Sequence, residues 1–212
     1  NYSTGFGKSL NGRREWGIKL FIFSNPIGFL SSENYYKEMV NVYYEYYHAL
    51  QESAFIDEEL GDTFEFGDDT RRGPHWFYSG ASTFMADYAV RKRESNNNLA
   101  PIKEWLKQQF LYGESLIMQS GCDEITLKDI SPENCFLLKF YWGEPAIAYL
   151  LTTIDNPNAL NELFYPNLYE LGFKNAFEFT FNRTLEEFYL EWNSIMSKSI
   201  DDRILLIDSF GV

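Results

Sequence analysis

With 212 residues, the chain is long enough for one generously sized domain with a substantial core. A 45% hydrophobic and 18% aromatic composition, with 15 Tyr and 19 Phe, excludes an intrinsically disordered chain. The 31 acidic against 18 basic side chains give a formal charge of -13, a field that repels phosphate backbones, so nucleic acid is not an expected partner.

In chain order, Gly5, Gly7, Asn11 and Gly12 punctuate the opening at intervals too short for a regular element, and residues 1–12 read as loop. Gly7-Lys8-Ser9 lacks the earlier glycine of a phosphate-binding loop, since Tyr2 stands there. Gly17 to Phe23, rich in Ile and Phe and broken by Asn25-Pro26, reads as a strand. From Ser32 the period changes. Tyr36, Val40, Tyr43, Tyr47 and Leu50 recur at spacings of three and four and predict an amphipathic helix over 33–54.

An acidic loop from Asp57 to Asp69 follows; it is no calcium loop, because Phe64 and Phe66 fall on ligand positions. A second helix is predicted from near Trp76 to Arg93, where Arg91, Lys92 and Arg93 suit a helix C-terminus. Further helices are predicted over 101–112, 115–120, 131–152, 157–164, 173–181 and 184–198. Pro132 after Ser131 and the Thr184…Glu187 capping box serve as start signals. Residues 201–212 read as a C-terminal tail. With no internal repeat or linker, one domain over 1–212 is expected: a loop and β element in 1–30, then a helical region over 31–200.

No apolar run approaches the roughly 18 residues of a membrane span. Asn1 in place of an initiator Met implies an upstream segment, and the compartment stays undetermined, with a lean to extracytoplasmic. The Asn1-Tyr2-Ser3 and Asn182-Arg183-Thr184 sequons are too common to decide it. Cys122 and Cys135 lack metal or redox spacing and read as two ordinary buried cysteines in preference to a disulfide.

Four stretches carry a further pattern. The first helix holds Tyr44-Glu45-Tyr46-Tyr47-His48; a second stretch reads Pro74-His75-Trp76-Phe77-Tyr78-Ser79-Gly80-Ala81; a third reads Phe140-Tyr141-Trp142-Gly143 before an apolar helix; a fourth runs from Ala176 to Trp192. In that order they resemble the catalytic region of gluzincin zinc metallopeptidases of the peptidase MA type, with HExxH, Pro-x-Trp-x-x-Glu-Gly-Ala and Tyr-x-x-Gly segments. HExxH puts two imidazoles one helical turn apart on one zinc, with the Glu as general base.

The resemblance implies a mainly α, thermolysin-like (zincin) fold with a small N-terminal β element. It also implies lost chemistry. Tyr44 stands at the first zinc ligand, Ser79 at the third and Phe140 at the Tyr that stabilises the tetrahedral intermediate. Glu45 and His48 keep the base and second-ligand positions, and Tyr141 lies one place from the lost Tyr. No bound metal is expected, because one imidazole does not hold zinc against water.

The expected function is a catalytically inactive homologue binding a peptide, glycan or protein in a cleft lined by Tyr44, Glu45, His48, Trp76, Ser79, Phe140 and Tyr141. Two other readings stand beside it: a working hydrolase whose metal is held in an unusual way, using Glu45, His48 and either His75 or a ligand from outside this sequence, and a structural domain of a larger protein.

Overall fold

The computed structural model describes residues 4–8, 18–22, 32–55, 66–94, 100–122 and 124–207. The acidic residues before Phe66, the polar run Ser95 to Asn98 and the Asn25-Pro26 break lie outside the described residues. Among the described residues the chain is mainly helical. Strands β1 (Thr4–Lys8) and β2 (Ile18–Ile22) pair antiparallel, Phe6 opposite Leu20, beside helix α1. The glycines that read as loop therefore sit partly in a strand. An antiparallel ladder is built from backbone groups, which glycine supplies as well as any residue.

Among the described residues eight α-helices follow: α1 (Ser32–Phe55), α2 (His75–Glu94), α3 (Ala100–Ser120), α4 (Leu138–Tyr141), α5 (Gly143–Thr153), α6 (Tyr165–Phe181), α7 (Leu185–Met196) and α8 (Ile200–Leu205). Helix α2 is the hub and packs on α1, α3, α4 and α5. Trp76, Phe77, Ala81, Phe84, Ala86 and Val90 bury most of its circumference, as a helix surrounded by others requires. Its small residues set the spacing. A Cβ on Gly80 would lie 2.4 Å from the Gly143 carbonyl carbon, and one on Gly143 would lie 2.5 Å from the Trp76 carbonyl oxygen. Helices α2 and α5 thus cross with backbones in contact, and α5 is buried from Gly143 to Leu151.

Beyond α2 an aromatic core continues through Phe164, Phe173, Phe177, Phe181, Phe188 and Trp192, with the centroids of contacting rings 4.8 to 6.1 Å apart and both Phe181 and Phe188 packed on Phe177. Each such ring withdrawn from water contributes about 1.5–3 kcal/mol. Asp68 and Asp69 tether the turn at 66–73 to this side, Asp68 accepting from the Tyr189 hydroxyl at 2.9 Å and Asp69 pairing with Lys174.

A polar knot joins four helices. Tyr36 of α1 donates to Asp87 Oδ1 at 2.5 Å, Arg91 lies 3.4 Å from the same oxygen, and Trp105 of α3 donates to Glu144 Oε1 of α5 at 2.9 Å. The remaining oxygens, Asp87 Oδ2 and Glu144 Oε2, are both buried with no other partner. Burial, followed by the Asp87 charge, holds Glu144 well above the ordinary carboxylate range. Glu144 therefore keeps its proton, which makes it the donor able to serve the Asp87 carboxylate.

Several expected elements are corrected. Helix α3 runs unbroken through Gly113, because this glycine serves close packing: a Cβ there would meet Trp142 Nε1 at 2.6 Å. No helix starts at Pro132. Ser131 and Asn134 close a bridged turn, Cys135 takes a positive φ of 51°, and the helix resumes at Leu138. Cys122 and Cys135 form a disulfide across that turn, against the expectation of two free thiols.

The stretch 157–164 contains a π-helical turn at Leu160–Phe164, and it leads directly into α6. Within α6 the chain kinks at Gly172, with φ 71° and ψ 169°, where nothing crowds a Cβ and only the backbone conformation calls for glycine. The expected tail includes α8, capped by Ser199. Its Arg203 is buried and donates to Glu114 of α3 at 2.7 Å and to the Met196 carbonyl at 2.6 Å. The Thr184…Glu187 capping box is present as expected.

Candidate functional site

On α1 the spacing of Tyr44, His48, Gln51 and Glu52 puts them on one face, turned toward the first half of α2. His48 sits at the centre. Its ring stacks on Tyr78 at a centroid distance of 4.5 Å and meets the edge of Tyr44 at 4.3 Å. Nδ1 lies 2.8 Å from Gln51 Oε1, while Gln51 Nε2 donates to the Tyr78 carbonyl and to the Tyr165 hydroxyl, each at 2.9 Å. A carbonyl only accepts, so the amide orientation is fixed and Nδ1 carries the imidazole proton. Nε2 then presents its lone pair to Ser82 Oγ, 3.3 Å away.

This imidazole stays neutral. Burial lowers its pKa to about 4, the Gln51 bond opposes that, and the charges of Lys139 and Arg72 add to it. Tyr44, in hydrogen-bonding contact with Ser82, is pushed up to about 12 by burial and by the neighbouring Glu45 charge. Burial also raises Glu45, which takes part in no ion pair among the described residues.

Behind the imidazole, Arg72 pairs with Glu52 at 2.6 Å, and Tyr78 donates its hydroxyl to the other Glu52 oxygen at 2.8 Å. The pair is buried on both sides, so it fixes the floor of the site. Opposite lies an aromatic group. His75 stacks on Phe66 at 4.0 Å and meets the edge of Phe136 at 5.3 Å; Phe140 lies 6.5 Å from Tyr44; Lys139 Nζ sits over Phe136 and Phe140. Tyr44, Phe66, His75, Tyr78, Phe136, Lys139 and Phe140 are all partly exposed.

The structure thus brings Tyr44, Glu45, His48 and Phe140 to one region. Of the other three candidates, Trp76 and Tyr141 turn away from this region and Ser79 is buried beside Ser82. Trp76 is 0% exposed in the core, stacked on Phe188 with its indole N–H donated to Tyr189, so no ligand reaches it. Tyr141 turns to α3, its ring 5.8 Å from Tyr112. Ser79 is 2% exposed, and its carbonyl accepts from Ser82 and Thr83.

Sequence reasoning passed over Tyr78, Ser82, Lys139 and the Glu52–Arg72 pair. Glu52, one helical turn beyond His48, was the one with a periodic signal; Ser82 and Lys139 depend on tertiary contacts.

Zinc does not fit these residues. The lone pair of His48 faces a serine hydroxyl, His75 stacks on Phe66 and abuts Phe136, Tyr44 holds its phenolic proton, and the described residues contain no cluster of three His, Cys, Asp or Glu able to hold an ion. No helix among the described residues is long and apolar enough to cross a membrane. No protein-family model, curated protein or solved structure matches the chain.

Proposed function

We propose that the chain is a non-catalytic relative of the gluzincin peptidases, with a thermolysin-like (zincin) arrangement, and that the region around His48 binds a peptide, glycan or protein ligand. The observation that carries this reading is the state of His48: neutral, bonded through Nδ1 to Gln51, with Nε2 against Ser82, and walled by rings that remain partly exposed. A buried neutral imidazole does not cycle protons near neutral pH, no cluster of three metal-ligating side chains stands with it among the described residues, and its surroundings offer aromatic faces and hydroxyls for recognition. The meeting of Gly80 and Gly143, drawn from two separate motif stretches, supports the resemblance at the level of helix packing.

The test is capture of immobilised peptides and glycans by the full chain. Tyr44→Ala and Phe140→Ala are expected to weaken capture at least fivefold. Unchanged capture by both variants counts against the region. Elemental analysis after dialysis against trace zinc complements it: stoichiometric zinc that is lost in His48→Ala returns the hydrolase reading.

A further inference from the structure

Lys139 projects from the one-turn helix α4, with Nζ 3.5 Å from the Phe136 ring centroid and 4.7 Å from that of Phe140. Among the described residues no carboxylate pairs with it, whereas Lys107, Lys128 and Lys174 each hold one at 2.5 to 2.7 Å. In a chain with 31 acidic side chains, a partly buried ammonium held by ring faces alone is a charge left open to an incoming group. Its proton affinity agrees: burial lowers the pKa to about 8, and no carboxylate among the described residues opposes the shift. Its field reaches the imidazoles of His48 and His75, whereas the other cation acting on His48, Arg72, is paired with Glu52.

We propose that Lys139 is the anion anchor of this aromatic region, and that the ligand it takes is a carboxylate joined to an apolar or aromatic body. The inference rests on the proposed binding role and narrows its ligand class. The ammonium is already partly desolvated, so a carboxylate meeting it interacts more strongly than at an open surface. Phe66, Phe136, Phe140 and Tyr44 supply the rings against which the body packs. A neutral sugar has no group that uses the charge, whereas a peptide ending in an apolar residue has both parts.

The experiment titrates N-acetylphenylalanine and its amide into the full chain and follows amide resonances by NMR, in the wild type, Lys139→Met and Lys139→Arg. The expected result is that the acid binds the wild type at least tenfold more tightly than the amide. Lys139→Met should erase that preference while leaving the amide's affinity unchanged, and Lys139→Arg should retain it. Equal binding of acid and amide to the wild type, or a preference that survives in Lys139→Met, overturns the anchor while the Tyr44-dependent capture assay keeps the binding role alive. Absence of binding by either compound overturns the carboxylate assignment, and the peptide and glycan capture then decides the broader reading alone.

Discussion

His48 shows how one residue's surroundings convert a potential metal ligand into a structural group. Its folded pKa of about 4 lies below the ordinary 6.5, so the unfolded chain binds the extra proton first as pH falls. Stability from this residue is therefore complete above about pH 6.5 and is lost as pH drops toward 4. At roughly 1.36 kcal/mol per pH unit the loss is about 3 kcal/mol. Urea denaturation at pH 7.0, 5.5 and 4.5 should show the wild type weakening faster than His48→Gln, whose side chain has no proton to gain. Parallel curves would remove His48 as the source. Burial raises the pKa of the neighbouring Glu45.

At the scale of elements, the α2–α5 crossing positions the site. Because the two backbones touch at Gly80 and Gly143, the side chains that α2 presents to α1, Tyr78 and Ser82, lie close enough to grip His48. Gly80→Ala would force a methyl into the Gly143 backbone, which has no rotamer with which to yield. It should cost about 1–3 kcal/mol or more. The measurement is the urea midpoint of Gly80→Ala against wild type; an unchanged midpoint would mean that the crossing relaxes freely. By contrast, Gly172 meets no neighbour, so its glycine serves the kink and not the packing.

For the whole molecule, α1, α2, α3 and α5 are joined by the Tyr36–Asp87–Glu144–Trp105 knot, and the segment leading to α4 is stapled to the end of α3 by Cys122–Cys135. That staple closes a loop with a sequence separation of 13. Loop-closure entropy for such a size corresponds to about 3 kcal/mol of stability. Addition of reductant, or the double variant Cys122→Ser/Cys135→Ser, should lower the urea midpoint accordingly. Because α4 carries Lys139 and Phe140, the same treatment should weaken ligand capture; a midpoint insensitive to reductant would show that the bond is not formed in solution.

Local pattern decided the helices whose periodicity is strong and whose ends carry caps. Helix α1 begins at Ser32 and α2 ends in its cationic turn as the pattern predicts, and at α7 the Thr184 box satisfies backbone groups of the first turn. The candidate site was legible in part, because Tyr44, Glu45 and His48 share one helix and its spacing places them. The tertiary structure decided the rest. Gly113 reads as a breaker and serves as packing space, Trp76 reads as a cleft wall and fills the core, and Cys122 finds Cys135 only when the chain turns at Ser131. Lys139 gains its open charge from rings and distances that no linear pattern records. The physical reason is common to all of these: what a residue does at long range depends on which neighbour approaches it, and packing alone chooses that neighbour.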